Sequence, residues 1–310
     1  MKAKFAEPEQ FIRDLGKVSA TLVSPAVVEE FLCDLDKVHR QILAGQKLSR
    51  PVSVDTFDQL AGVFKGTRLG ALKRIGGKDF LEKLPANDPL RCPVSLFGSL
   101  DLGLRETAHT RALAWLMDPR EEHGFRMTLL RVFLKVVFNL DNDFRIETAD
   151  VRSETSGNES RDRIDIHMSG KWTLSGRKPE SWLVLVEAKI EANESEDQCA
   201  KYENQFRRAI TSADRSALVF LTHDGRQSIS SSKNGPSKWC PLSFINLAGL
   251  FWQESPALLG KPGLEFLRLY VTGVLKDLYE LKCGQISDQD DIYRVGDFLL
   301  PQSPGGKNHE

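Results

Sequence analysis

The sequence predicts an α/β protein, a β-sheet flanked by helices behind a helical N-terminal region. Three observations carry this expectation. Helical spacing without strand signals fills residues 1–94. A succession of two helices, three strands, a helix and a strand then follows. Within it, Leu183-Val184-Leu185-Val186 has no polar partner and reads as a central strand buried on both faces.

The elements follow in order. Ser24-Pro25 is a helix start, with serine as N-cap and proline at the first helical position. Val28, Phe31, Leu32, Leu35, Val38 and Ile42 recur at helical spacing, and Gly45 follows as a stop. A second helical stretch covers 54–64. Residues 65–78, KGTRLGALKRIGGK, hold five basic residues and no acid. A solvated basic face is the default reading, and a nucleic-acid contact the functional one. KLPANDPLRCPV, with three prolines, reads as a linker. Helices are expected at 104–117 and 124–137, split by Asp118-Pro119, a helix terminator. Strands are expected at 144–153, 162–168 and 182–190, an amphipathic helix at 195–212, and a strand at 217–222. A polar loop precedes a short strand near 242–245, a last helix spans 263–282, and the tail is polar and frayed. The domain expectation is a helical region at 1–94, an α/β domain at 95–283 and a polar tail at 284–310. No internal repeat is evident.

Of 310 residues, 41% are hydrophobic and 27% charged, which excludes wholesale disorder, collagen-like repeats and a disulfide miniprotein. The 42 Lys plus Arg nearly cancel the 43 Asp plus Glu, for a net charge of -1. Any polyanion contact must therefore be a local patch. Five scattered cysteines without a CxxC pair argue against a zinc site and fit free thiols in a reducing cytosol. The N-terminus lacks the apolar core of a signal peptide. The longest uncharged run, 239–253, is broken by Pro241 and too short to span ~30 Å of hydrocarbon. The expectation is a cytoplasmic protein with no membrane contact.

The chemistry concentrates at S-W-L-V-L-V-E-A-K-I. A buried strand should not end in Glu187 and Lys189 unless those charges have partners or work. Residues i and i+2 share a strand face, so a carboxylate and an ammonium project together. A salt bridge at a strand end is the bland alternative. On the preceding strand Asp165 lies between Ile164 and Ile166, so it faces opposite to them. A hairpin-like return through 170–180 brings Asp165 beside the Glu187 strand. Two converging carboxylates repel unless a cation or a proton sits between them. Oxygen ligands suit magnesium or manganese better than zinc. Lys189 beside such a metal can orient or deprotonate a water.

Asp165 followed by Glu187-Ala188-Lys189 resembles the active-site signature of the PD-(D/E)XK nuclease superfamily, and in particular its bacterial standalone subgroup. That subgroup opens with a helix of the form E-x-x-H-T/S-x-x-L-A-W-L-x-D-P and then H-G. Here Glu106, His109, Thr110, Leu113, Ala114, Trp115, Leu116, Asp118 and Pro119, then His123-Gly124, stand at those places. Glu194, Gln198 and Tyr202 match the acid, glutamine and tyrosine of the following helix. Residues 218–225, LVFLTHDG, match the next strand and turn, and Trp239 and Leu242 a tryptophan-led element. The likeness covers roughly 95–280, and Ile164 stands where the family name has proline.

The resemblance implies a restriction-endonuclease-like core, a four-stranded mixed central sheet flanked by helices, and a magnesium-dependent phosphodiester cut, with manganese substituting. It implies Asp165, Glu187 and the backbone carbonyl of Ala188 as metal ligands and Lys189 as the group that positions the attacking water. Glu106 would be an accessory acid at the metal, and Gln198 would support the site. Each has a plainer alternative. Glu106 is also a first-turn acid stabilised by the helix dipole, and Gln198 and Tyr202 share a helical face that can simply pack on the sheet. His109 and His123 read as structural hydrogen-bonding residues and His223 as a loop residue. Residues 228–232 read as a flexible loop without a nucleophile's base. Arg161, Arg163, Arg226, Lys233 and Lys238 are the local cations expected to contact nucleic acid, with Lys171, Arg207 and Arg208 as further candidates. The functional expectation is an endonuclease acting on DNA, with bacterial antiphage defence as the analogous role. The alternatives are an RNase on the same site, or a non-catalytic module binding nucleic acid or protein. The N-terminal helices leave a homo-oligomer open.

Overall fold

The computed structural model describes residues 80–140, 144–156, 163–175, 177–191, 194–195, 197–231, 239–282, 286 and 289–301. The chain divides into two compact units, Met1–Leu84 and Pro85–Glu310. The helices expected within 1–64 and the basic segment 65–78 lie outside the described residues, as do Arg161, Lys233 and Lys238.

The second unit is built on a five-stranded mixed sheet of order β1-β2-β3-β4-β5. Strands β1 (Phe144–Ser156), β2 (Arg163–Leu174) and β3 (Glu180–Lys189) form an antiparallel meander. β4 (Arg215–Thr222) and β5 (Trp239–Ser243) then add parallel to β3 and to each other. The sheet thus has one strand more than the resemblance implies. Trp239 to Ser243 pairs fully with β4, with Trp239 and Leu242 buried.

Helix α1 (Glu106–Met117) packs across β1, β2 and β3, and α2 (Thr128–Phe138) packs on β4. On the other side, α3 (Gln198–Gln205) and α4 (Arg207–Ser212) present Cys199, Tyr202, Phe206 and Ile210 to Leu183, Leu185, Leu218 and Phe220. The single helix expected over 195–212 is therefore two, turning at Phe206. Both faces of β3 are covered, so Trp182 to Ala188 are all buried, as the uninterrupted apolar run requires.

Four further expectations differ from the structure. The uncharged run continues past β5 as helix α5 (Phe244–Gln253), N-capped by the Ser243 hydroxyl. It is buried nearly all round, which erases the periodicity that marks an amphipathic helix. The last expected helix is α6 (Leu264–Gly273), passing into a π-helical turn over Val274–Leu278. The polar tail contains helix α7 (Gln289–Leu299), which buries Val295 and Phe298 and packs on α5. The α/β unit therefore runs past 283. The proline-rich linker is likewise partly folded in, as Leu90 and Cys92 are buried. Among the described residues no helix is long and apolar enough to cross a membrane.

Candidate active site

The β2–β3 ladder ends at Ile166↔Val186, where the two strands part. Beyond that point the Asp165 carboxylate takes the place of a backbone acceptor: its Oδ2 receives the Ala188 N–H at 2.7 Å. Side-chain alternation buries Ile164 and Ile166 completely and turns Asp165 to the opposite face. The same alternation on β3 sets Glu187 and Lys189 on one face, and Lys189 Nζ lies 2.7 Å from Glu187 Oε1. Lys189 also donates to the Ala188 carbonyl at 3.1 Å and pairs with Glu106 Oε2 at 3.2 Å. Glu106 is the first residue of α1, so the helix start is delivered to the end of the sheet.

From the helix over the other face, Gln198 Nε2 donates to Glu187 Oε1 at 2.7 Å and lies 3.4 Å from the Tyr202 hydroxyl. Tyr202 in turn donates to the Arg163 carbonyl at 3.0 Å. The Gln198 and Tyr202 face therefore does more than pack. It ties the starts of α3 and β2 to Glu187. Asp165, Glu187, Ala188, Lys189, Glu106 and Gln198 are all brought to one place.

Glu187 is 2% exposed and its Oε2 has no hydrogen-bond partner. Burial, then the Asp165 carboxylate, pushes its pKa well above the ordinary range, against the pull of Lys189. Asp165 is also raised, by burial first, although the Ala188 N–H and Lys189 oppose it. Burial disfavours the Lys189 ammonium, but the Glu187, Glu106 and Asp165 carboxylates outweigh it and hold the group protonated. An orphaned acid oxygen beside a second strained carboxyl is a donor set in want of a hard cation. No three His, Cys, Asp or Glu side chains among the described residues gather into a ligand shell on their own. The Ala188 carbonyl adjoins the Asp165 and Glu187 pair, and Glu106 approaches it through Lys189.

The other expected residues fall as follows. Arg163 is exposed at the start of β2. Arg226 is drawn inward, 3.3 Å from Glu194 and 3.9 Å from Asp224, with its guanidinium over the Phe220 ring. His109 is fully buried with Nε2 on the Gly103 carbonyl at 2.8 Å. His123 bonds the Asp118 carbonyl through Nε2, at 2.9 Å, and receives the Phe125 N–H on Nδ1. Burial lowers both pKa values, and both rings are held by backbone hydrogen bonds. His223 stacks on Tyr279 at 4.2 Å.

Sequence reasoning missed the role of Glu194. Its buried carboxylate receives the Ser228 and Ser230 hydroxyls and the Ile229 and Ser230 N–H groups, besides Arg226. The Ser230 hydroxyl and carbonyl then accept the Cys199 and Ala200 N–H groups of α3. The serine-rich segment is thereby locked to the helix that carries Gln198. The density of serines at Ser228, Ser230 and Ser231 was the available signal.

Comparisons with curated proteins and with solved structures returned no significant match. A family model described as PD-(D/E)XK nuclease superfamily matches residues 95–252, just over half of the chain and the span that contains every residue of this site. With the mixed sheet and the convergent acid, acid-x-lysine set already in place, the chain belongs to the PD-(D/E)XK nuclease superfamily.

Proposed function

We propose that the protein is a magnesium-dependent endonuclease that hydrolyses phosphodiester bonds in DNA, with manganese able to substitute. The observation that carries this reading is the buried, unpartnered Oε2 of Glu187 beside Asp165, with a charged lysine within hydrogen-bond distance. Asp165, Glu187 and the Ala188 carbonyl would hold the ion, and Glu106, which reaches Lys189, would be an accessory acid beside it. A divalent cation bound there would supply Lewis acidity for the phosphoryl oxygen and for an attacking water at neutral pH.

The protein's own groups do the rest. Lys189, held protonated by three acids, acts as a fixed positive charge that orients the attacking water and balances negative charge developing on the phosphate. Gln198 keeps Glu187 in one rotamer through its 2.7 Å bond, and Tyr202 braces Gln198. Cytoplasmic action and a part in bacterial antiphage defence are the roles proposed with this chemistry. Assembly through residues 1–94 is the proposed route to an oligomer.

The decisive experiment is nicking of supercoiled plasmid with magnesium, manganese or chelator. Wild type should nick only with metal. Lys189→Ala should lose about 3 kcal/mol of transition-state stabilisation, roughly a hundredfold or more in rate, with its melting temperature nearly unchanged. Equal activity in wild type and variant removes this site as the catalyst. Matched RNA, single-stranded DNA and duplex DNA in the same assay separate DNase from RNase.

A further inference from the structure

Three acids crowd the end of β3, and the chain as a whole has a net charge of -1. A polyanion reaching that site meets repulsion unless local cations offset it. Several cations among the described residues are already committed. Arg111 pairs with Glu154 at 2.6 Å, Arg120 with Asp118 at 2.7 Å, Arg152 with Asp150 at 2.7 Å and Arg226 with Glu194. Lys189 is held by its own acids.

Arg105 and Arg163 are different. Both are exposed, and neither side chain has a partner among the described residues. Arg105 occupies the N-cap position of α1 without making a side-chain cap bond. The next residue, Glu106, touches Lys189. Arg163 lies two residues before Asp165, on the same strand face by alternation. Its carbonyl is fixed by the Tyr202 hydroxyl, which connects through Gln198 to Glu187. One arginine thus stands on the helix side of the acids, next to Glu106, and one on the strand side, on backbone held by Tyr202.

We propose that Arg105 and Arg163 form a phosphate clamp that grips the backbone phosphates flanking the scissile bond. The clamp rests on the nuclease reading and deepens it by naming what holds the substrate. A guanidinium binds a phosphate through two parallel N–H donors and stays charged at any working pH, which suits a grip that must outlast nearby carboxylates. Backbone contacts of this kind set register and affinity without reading sequence.

The test is a salt titration of binding, read by fluorescence anisotropy on labelled duplex DNA, single-stranded DNA and RNA. Calcium replaces magnesium, so that binding is read apart from cleavage. Arg105→Ala and Arg163→Ala should each reduce the log–log salt slope by about one, and the double variant by about two. Arg177→Ala is the charge-matched control, because the β2–β3 turn lies roughly 30 Å along the strand from Lys189. It should leave the slope unchanged. In plasmid cleavage the two arginine variants should raise KM several-fold with kcat altered little, a split that a merely structural loss would not give. Unchanged slopes in both variants, or a wild type that binds none of the probes, overturn the clamp. Slopes that fall as expected in a protein that never cleaves would keep the clamp and overturn the nuclease reading. The three probes report whether the phosphates belong to DNA or RNA.

Discussion

Glu187 and Glu194 are both buried acids, and burial alone pushes the pKa of each upward. What separates them is the number of donors. Glu187 keeps one oxygen unsatisfied and faces a second carboxyl, so its pKa rises. Glu194 receives two hydroxyls and two backbone N–H groups, which outweigh burial and pull it down to about 2. The first acid keeps one oxygen without a partner, and the second has its partners. Because the folded pKa of Glu194 lies below its ordinary 4.5, its ionised form stabilises the fold above that value. The contribution is lost as pH falls from about 4.5 toward about 2. Glu194→Gln should therefore be markedly less stable than wild type near pH 7, by chemical denaturation, and the gap should close as pH is lowered through that window. A gap independent of pH would show that charge on Glu194 is not what holds the serine-rich segment. At this scale the convergence of Asp165, Glu187 and Lys189 was legible from the residues and the Gln198 support through the resemblance, whereas the Glu194 lock was not. Alternation along a strand places Asp165, Glu187 and Lys189 from sequence, because strand period is local. The Gln198–Glu187 and Glu194–Ser230 bonds join residues whose closeness depends on how α3 lies on the sheet, which no local pattern encodes.

The elements show the same division. β3 and α1 were legible because one is uniformly apolar and the other is stopped by Asp118-Pro119. α5 was not, since a helix buried on every side has no polar face to reveal its period. α7 was obscured for the opposite reason: its acidic start, Asp290-Asp291, resembles a solvated tail, although Ile292, Val295 and Phe298 recur at three-residue spacing. The packing of α7 depends on one glycine. At Gly249 of α5 an added Cβ would lie 2.0 Å from the Phe298 carbonyl oxygen, and the atom it meets is backbone. Gln253 Nε2 completes the junction by donating to the Leu299 carbonyl at 3.2 Å. Gly249→Ala should therefore push α7 off α5, at a cost of about 2–3 kcal/mol. Limited proteolysis gives the readout, with faster cleavage between α6 and α7 while the sheet core stays protected. Unchanged cleavage would mean that α7 accommodates the methyl by sliding, and that close approach does not define the contact.

Across the whole molecule, the antiparallel meander and the parallel β3–β4–β5 half place Asp165, Glu187 and Lys189 where β2 and β3 part. Helix α1 closes that notch from one face and α3 from the other. All of these elements lie in the unit Pro85–Glu310, as does the entire span matched by the family model. A chain segment of that length can bury a core of its own. The fragment Pro85–Glu310 should accordingly melt in a single cooperative transition and cleave plasmid with kcat within a few-fold of the full chain. The five basic residues of 65–78 are absent from it. If they contribute to substrate affinity, the fragment's binding will show a shallower salt dependence while its turnover holds, because phosphate contacts act on association and the acids on the chemical step. A fragment that folds yet does not cleave would place part of the catalytic machinery in Met1–Leu84, and a fragment without a cooperative melt would show that the core is not self-contained.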